Sequence, residues 1–175
     1  MRYSRLIPSF YKRNVLEVAP LLLGKTLVRK FEDGSVQHFT ITEVEAYNGT
    51  EDMACHASKG RTKRTEVMFH NGGKVYVYLI YGMYWMLNFV TGDENEPTAV
   101  LIRGMENISG PGRVGRALQL DKSFYGEDLA TSERIWVEDS EIKPEYICTP
   151  RIGIDYAGEP WVSKPWRFVL KNNQY

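Results

Sequence analysis

Seven runs rich in β-branched and aromatic residues dominate the chain: Thr26 to Phe31, Val36 to Tyr47, Val75 to Tyr81, Trp85 to Val90, Ala99 to Arg103, Arg151 to Tyr156 and Arg167 to Leu170. They are joined by turns rather than by repeated helices, and parallel pairing needs a long crossover, so the sheet they form is expected to be largely antiparallel. The fold class is α+β. Asp33-Gly34 supplies the positive φ angles of a tight hairpin between the first two runs. Two helices are expected beside the sheet. The first starts at Asn14, a good N-cap with Glu17 at the third helical position. Val15, Leu16, Ala19, Leu22 and Leu23 form its apolar face, and Gly24 stops it. Pro20 falls inside it and should kink or shorten it. The second runs from Pro111 to Leu120, with Val114, Ala117 and Leu118 as its stripe and Gly110-Pro111-Gly112 as an entrance that, with Arg113, is able to face a phosphate. A plain surface helix fits that pattern equally well.

A chain of 175 residues fits one domain over positions 1–175 and buries roughly 70% of its unfolded surface without scaffolding by metal or disulfide. Cys55 and Cys148 lie far apart with no CxxC pairing, which favours a reducing, cytosolic compartment. The first eight residues lack an apolar core of signal-peptide length, and no run of 18 apolar residues occurs, so neither secretion nor membrane insertion is expected. The 22 basic and 22 acidic residues balance, which argues against non-specific coating of nucleic acid. A local basic face remains open. Lys59-Gly60-Arg61-Thr62-Lys63-Arg64 carries four basic residues in six, a loop suited to phosphates or simply solvated.

The chemistry concentrates in Thr42-Glu43-Val44-Glu45-Ala46-Tyr47. In an extended segment Glu43, Glu45 and Tyr47 share one face. Carboxylates beside a flat ring suit gripping a nucleobase while handling a proton. The same pattern also fits a half-buried strand with two solvated glutamates. Tyr76, Tyr78, Tyr81, Tyr84 and Trp85 crowd around Gly82-Met83. Tyr76 and Tyr78 share a strand face, and the glycine bend pushes Tyr81 and Met83 to a tip. Core tyrosines with satisfied hydroxyls are one reading, and a stacking platform with a DNA wedge is the other. His38, His56 and His70 lack ligand spacing, so His56 is read as a packing or base-contacting residue. No phosphate loop, Ser-His-Asp order or Cys-His arrangement emerges.

Ordered blocks over nearly the whole chain resemble a known family. They are Leu22-Leu23-Gly24-Lys25-Thr26-Leu27-Val28, Thr42 to Tyr47, Glu51-Asp52, His56, Met68-Phe69, Tyr76-Val77-Tyr78, Ile80-Tyr81-Gly82-Met83-Tyr84, Asn88, Val100-Leu101-Ile102-Arg103, Gly110-Pro111-Gly112, Arg151-Ile152-Gly153-Ile154 and Pro165-Trp166-Arg167-Phe168. The family is the alkyladenine, or 3-methyladenine, DNA glycosylases of the type that lacks a helix-hairpin-helix. The resemblance implies a single domain on a curved, open barrel-like antiparallel sheet, with flanking helices and a protruding DNA-intercalating hairpin. It implies an enzyme that flips an alkylated or deaminated purine out of duplex DNA and hydrolyses its N-glycosidic bond, leaving an abasic site. Glu45 matches the general base that activates water, and Arg103 and the Ile152 carbonyl match the groups that hold it. Tyr47, His56 and Tyr78 match the residues that sandwich the flipped base, and Asn88 the one that excludes guanine. Tyr81 matches the side chain that fills the vacated space, with Met83 beside it. Arg61, Lys63 and Arg64 are the expected phosphate contacts. No metal or other cofactor is implied, and the partner is double-stranded DNA with damaged purines, met by a monomer in the cytoplasm, nucleoid or nucleus.

The chain departs from the family at Pro20, at Thr65 in place of an asparagine, at Asn71-Gly72-Gly73 in place of a Pro-Gly turn, and at a short C-terminal stretch ending Lys171-Asn172-Asn173-Gln174-Tyr175. These bear on DNA binding rather than on the matched catalytic residues. A nucleic-acid-binding module without activity would have no need of both Glu45 and Arg103. A small-molecule nucleosidase would leave Tyr81 and the basic loop idle.

Overall fold

The computed structural model describes residues 3–140 and 143–171. The readings that rest on Met1 and Arg2 or on residues 172–175 lie in part outside the described residues. Helix α1 (Pro8–Tyr11) and helix α2 (Val15–Leu22) open the chain. The Asn14 side chain accepts from Leu16 N–H at 2.9 Å, as an N-cap should. Pro20 lies within the last turn of α2, and Gly24, at φ 78°, turns the chain out of it.

The strands are β1 (Thr26–Lys30), β2 (Val36–Asn48), β3 (Val75–Ile80), β4 (Tyr84–Thr91), β5 (Thr98–Met105), β6 (Ile108–Ser109), β7 (Ile135–Glu138), β8 (Tyr146–Thr149) and β9 (Arg167–Leu170). All their pairings are antiparallel, and the main order is β3-β4-β5-β2-β1-β7. Strand β2 is the spine. Its first part pairs with β1, Glu43 to Glu45 pair with β9 along the same edge, and β5 lines its other edge from Ile41 on. The sheet curls into a half-barrel. Two expectations are corrected. Arg151 to Tyr156 is a loop ending in a short 3-10 turn, because its backbone and first side chain are drawn to Glu45 and Asp52 rather than to a neighbouring strand. Strands β7 and β8 were not anticipated.

One offset governs which side chains meet. Between Ile41 and Val44 on β2, and between Ile102 and Met105 on β5, the register shifts by one residue and back. Thr42 is the extra residue on β2 and Arg103 the extra one on β5, so both strands change face there. Ile41 and Met105 join the main core on one side of the irregularity. Val44, Ala46, Val100 and Ile102 join it on the other. With Val75, Val77, Leu87 and Phe89 these residues pack against the helices. The alternate residues, Glu43, Glu45, Tyr47, Tyr76, Tyr78, Asn88 and Arg103, are thereby left to the opposite face. A second cluster covers part of that face, with Cys55, Ala57, Val67 and Met68 packed on Tyr76, Val90 and Ala99.

Helix α3 (Pro111–Ala117) ends three residues earlier than expected and lies across β4. Gly115 permits the approach, since a Cβ there would sit 1.9 Å from the Trp85 carbonyl oxygen. Gly115→Ala gains about 1 kcal/mol of helix propensity but drives a methyl into backbone that cannot rotate away. Overpacking of this kind costs roughly 1–3 kcal/mol or more, so we expect a net loss of stability by chemical denaturation. An unchanged or higher midpoint would show that α3 is free to shift.

Candidate active site

The curled sheet lays several candidate site residues in one row. Tyr76, Asn88, Leu101, Glu45 and Arg167 are successive register partners across β3, β4, β5, β2 and β9. Glu45 is completely buried, at 0% exposure. Arg103 Nη1 donates to its Oε1 at 3.0 Å, and Ile152 N–H donates to its Oε2 at 3.1 Å. Burial pushes the Glu45 carboxyl above the ordinary glutamate range, against the opposing pull of Arg103 and of the Ile152 N–H. Arg103 is only partly buried. Burial alone would lower its pKa, but Glu45 and Glu43 beside it hold it above the usual arginine value. Ile152 reaches the carboxylate through its backbone N–H.

Beside this group a small pocket is lined by Tyr47, Cys55, His56, Tyr76, Tyr78, Asn88 and Tyr156, among others. Its aromatic lining is of the kind that holds planar ligands. His56 and Tyr78 meet edge to face with ring centroids 4.5 Å apart, and Tyr76 and Tyr78 stack at a tilt at 5.4 Å. The His56 Nδ1 shares a 2.9 Å hydrogen bond with the Tyr76 hydroxyl. Burial, with Arg64 and Lys59 nearby, lowers the His56 pKa to about 4, so the ring is neutral at physiological pH. Burial likewise raises Tyr76 to about 12. The Asn88 amide is committed to the backbone, donating to the Tyr76 carbonyl at 3.1 Å. Tyr156, which the sequence offers only as the end of an expected strand, lines the pocket with its hydroxyl donating to the Ala54 carbonyl at 3.1 Å.

The pocket opens into a wider cleft that Lys59, Arg64, Tyr78, Tyr81, Arg103, Pro111 and Ile152 help to line. Tyr81 stands at the tip of the β3–β4 hairpin, 83% exposed. Its φ of 52° and that of Gly82, 65°, are both left-handed. For a non-glycine residue that conformation costs of order 1 kcal/mol, which is the kind of strain found at functional sites. Met83 beside it is exposed too. The three basic residues of the loop differ. Arg61 is engaged by Glu66 through hydrogen bonds of 2.8 and 2.7 Å. Lys63 is exposed away from the cleft lining, and Arg64 lies over the Tyr78 ring at 5.0 Å. Thr65, buried, stitches the loop by accepting from Thr62 N–H at 2.9 Å and donating to the Gly60 carbonyl at 3.0 Å. Tyr125 donates to the Arg64 carbonyl at 2.9 Å from outside.

Sequence reasoning missed the support beneath the site. Arg151 and Asp52, both fully buried side chains, form a bidentate pair of 2.6 and 2.9 Å. Arg151 also donates to the Ala46 carbonyl at 3.0 Å and lies between the Tyr47 and Trp166 rings, 4.9 and 5.0 Å from their centroids. Asp52 accepts in addition from the Asn48 and Ala54 N–H groups at 2.9 and 3.1 Å. One ion pair therefore fixes the end of β2, the Tyr47 ring, and the loop that carries Ile152 to Glu45. Among the described residues no three His, Cys, Asp or Glu side chains converge as metal ligands, and no helix is long and apolar enough to cross a membrane.

Comparison with known proteins bears on this arrangement. The family model described as methylpurine-DNA glycosylase matches residues 9–110 and 106–174. A relative from Methanocella arvoryzae is 46% identical over 184 residues, covering 94% of this chain and 91% of its own. One from Wolbachia pipientis wMel is 48% identical over 176 residues, covering 96% and 93%. A third, from Legionella pneumophila strain Paris, is 44% identical over 180 residues, covering 98% and 97%. All three carry the name 3-methyladenine DNA glycosylase. With matches of that extent running through β2, the aromatic pocket and the Arg151 loop alike, the chain belongs to the methylpurine-DNA glycosylase family, monofunctional hydrolases of N-glycosyl bonds in DNA.

Proposed function

We propose that the protein flips an alkylated or deaminated purine out of duplex DNA, seats it in the aromatic pocket, and hydrolyses its N-glycosidic bond with a water activated by Glu45. The observation that carries this reading is the position of Glu45. It is a buried carboxylate with raised proton affinity, one layer beneath a cleft floor made by Arg103, Ile152 and Tyr47. The attacking water is taken to enter between Arg103 and Ile152, the two groups that touch the carboxylate. As the base departs, the sugar gains oxocarbenium character that a carboxylate stabilises. Glu45 takes a proton from the water, the water oxygen bonds to C1′, and the electrons of the N-glycosidic bond leave with the purine. A cationic alkylated purine leaves as a neutral base. Hypoxanthine must gain a proton as it leaves.

Tyr47, His56 and Tyr78 are assigned to the two faces of the flipped base, where electron-rich rings favour a cationic purine. With Nδ1 of the neutral His56 engaged by the Tyr76 hydroxyl, Nε2 is left to hydrogen-bond a purine edge, as donor or acceptor according to the tautomer. Asn88, fixed by the Tyr76 carbonyl, is assigned to rejecting the guanine amino group. Lys63 and Arg64 are assigned to phosphates of the duplex, whereas Arg61 must first release Glu66 to join them. The protein is taken to act as a monomer. The test is to incubate alkylated duplex DNA with the protein and separate the products by chromatography. Free methylated purine with unbroken strands is expected. Release of a nucleotide or nucleoside instead would overturn the reading.

Tyr81 is assigned to the gap that the flipped base leaves. Unstacking costs a few kcal/mol, and aromatic stacking returns about 1–3 kcal/mol per base. Tyr81→Ala should weaken binding to an abasic-analogue duplex by roughly one to two orders of magnitude. Alanine inherits the same strained backbone, so the melting temperature should hardly move. A large drop in melting temperature with unchanged affinity per folded molecule would make Tyr81 structural.

A further inference from the structure

Glu43 is a partly buried carboxylate, its side chain 12% exposed, that the chemistry assigned to Glu45 does not use. Its Oε1 accepts from Arg103 Nε at 3.1 Å and from Arg167 Nη1 at 2.7 Å. The same Arg103 guanidinium gives Nη1 to Glu45 at 3.0 Å. Arg167, Glu43, Arg103 and Glu45 thus form a line of alternating charge, laid across β9, β2 and β5 where the paired irregularity places Arg103 as the extra residue. A guanidinium gripped at Nε by one carboxylate and at Nη1 by another has a single orientation open to it. Without Glu43, Arg103 would be free to turn both of its donating edges to Glu45 or to swing into the cleft that it lines.

We infer that Glu43 is a positioning residue for the hydrolysis, holding Arg103 by Nε so that only Nη1 meets Glu45, and dividing the arginine's charge so that Glu45 remains basic. The inference rests on the reading of Glu45 as the base. The charged and titratable groups that face Glu45 are Arg103 on β5, Arg151 on the loop, Glu43 on its own strand, Arg167 on β9 and the Tyr47, Tyr78 and Tyr156 hydroxyls. Removing the Glu43 charge leaves the arginines less opposed. The proton affinity of Glu45 should then fall, and with it its strength as a base.

Glu43→Gln tests this with little risk to the fold, because one amide oxygen still accepts from both Arg103 and Arg167. For this variant we expect affinity for an abasic-analogue duplex within about twofold of wild type. The single-turnover excision rate should fall by about tenfold, less than the ~10²–10⁴ expected for loss of a general base. The acid limb of the rate profile should move to lower pH, by roughly half a unit to one unit, as expected when an opposing charge is removed nearby. Glu43→Ala, which also loses the Nε anchor, should be slower still. Wild-type rates and an unshifted profile in Glu43→Gln would overturn the inference, as would a loss of rate that merely tracks a loss of folded protein. Glu45→Gln, assayed in parallel, separates the two claims. If it is active, the reading of Glu45 fails. If it is inert while Glu43→Gln matches wild type, only the role of Glu43 fails.

Discussion

Glutamine in place of Glu45 should abolish excision while leaving lesion duplex bound. The amide keeps the shape of the side chain but takes no proton, and a general base contributes roughly 10²–10⁴ in rate. Both Glu45 oxygens accept hydrogen bonds, from Arg103 and from Ile152 N–H. An amide satisfies only one of these donors, so a modest loss of stability, about 1–3 kcal/mol, should accompany the loss of turnover. A single-turnover rate within threefold of wild type would remove Glu45 from the mechanism. The pH dependence carries the same assignment. A base works only when deprotonated, so the rate should fall as pH drops through the Glu45 pKa, which burial places above the ordinary glutamate value. His56, neutral down to about pH 4, does not supply that limb. An acid limb that survives in Glu43→Gln and Arg103→Lys without any shift would point to another group.

Asp52→Ala should be the most destabilising single substitution in the site. Asp52 and Arg151 are both fully buried, and removing one partner leaves the other charge uncompensated. Such losses run to about 3–5 kcal/mol. In a chain of 175 residues, that corresponds to a fall in melting temperature of roughly 6–20 °C at about 2–4 °C per kcal/mol. The Asn48 and Ala54 N–H groups lose their acceptor at the same time. Arg151→Met paired with an apolar residue at position 52 should recover much of the stability, since a buried ion pair replaced as a whole is often neutral. It should not recover activity, because Tyr47 and the Ile152 loop would no longer be held. A melting temperature within about 2 °C of wild type for Asp52→Ala would mean that water reaches the pair.

The sheet and its functional face were legible because a strand's period of two is a strong local signal. Glu43, Glu45 and Tyr47 do share a face, Tyr76 and Tyr78 do stack together, and the β1–β2 hairpin turns where Asp33-Gly34 requires. Asn14 caps its helix for the reason its side chain suggests. Other features depend on contacts between distant residues. Arg151 meets Asp52 across 99 positions, and that long-range pull, not its β-branched neighbours, decides the backbone from Arg151 to Tyr156. The offset between β2 and β5 has no local signature apart from Gly104, whose Cβ would crowd Glu43 and Thr42 at 3.1 Å. Strand β7 is different, since Ile135-Trp136-Val137 carries an ordinary strand composition that passes unnoticed among its charged neighbours. The engagement of Arg61 by Glu66, five residues on, was likewise open to inspection as opposite charge at short range.

The most direct test of the account uses end-labelled duplexes, each with one 3-methyladenine, 7-methylguanine, hypoxanthine or ethenoadenine, incubated with the protein and then split between alkali and borohydride. The account predicts a strand break at the lesion only after alkali, for at least one of the four, with no covalent protein–DNA adduct in borohydride, because water and not an amine attacks the sugar. Breaks before alkali, a trapped adduct, or no alkali-labile site in any duplex with fully folded protein would contradict it.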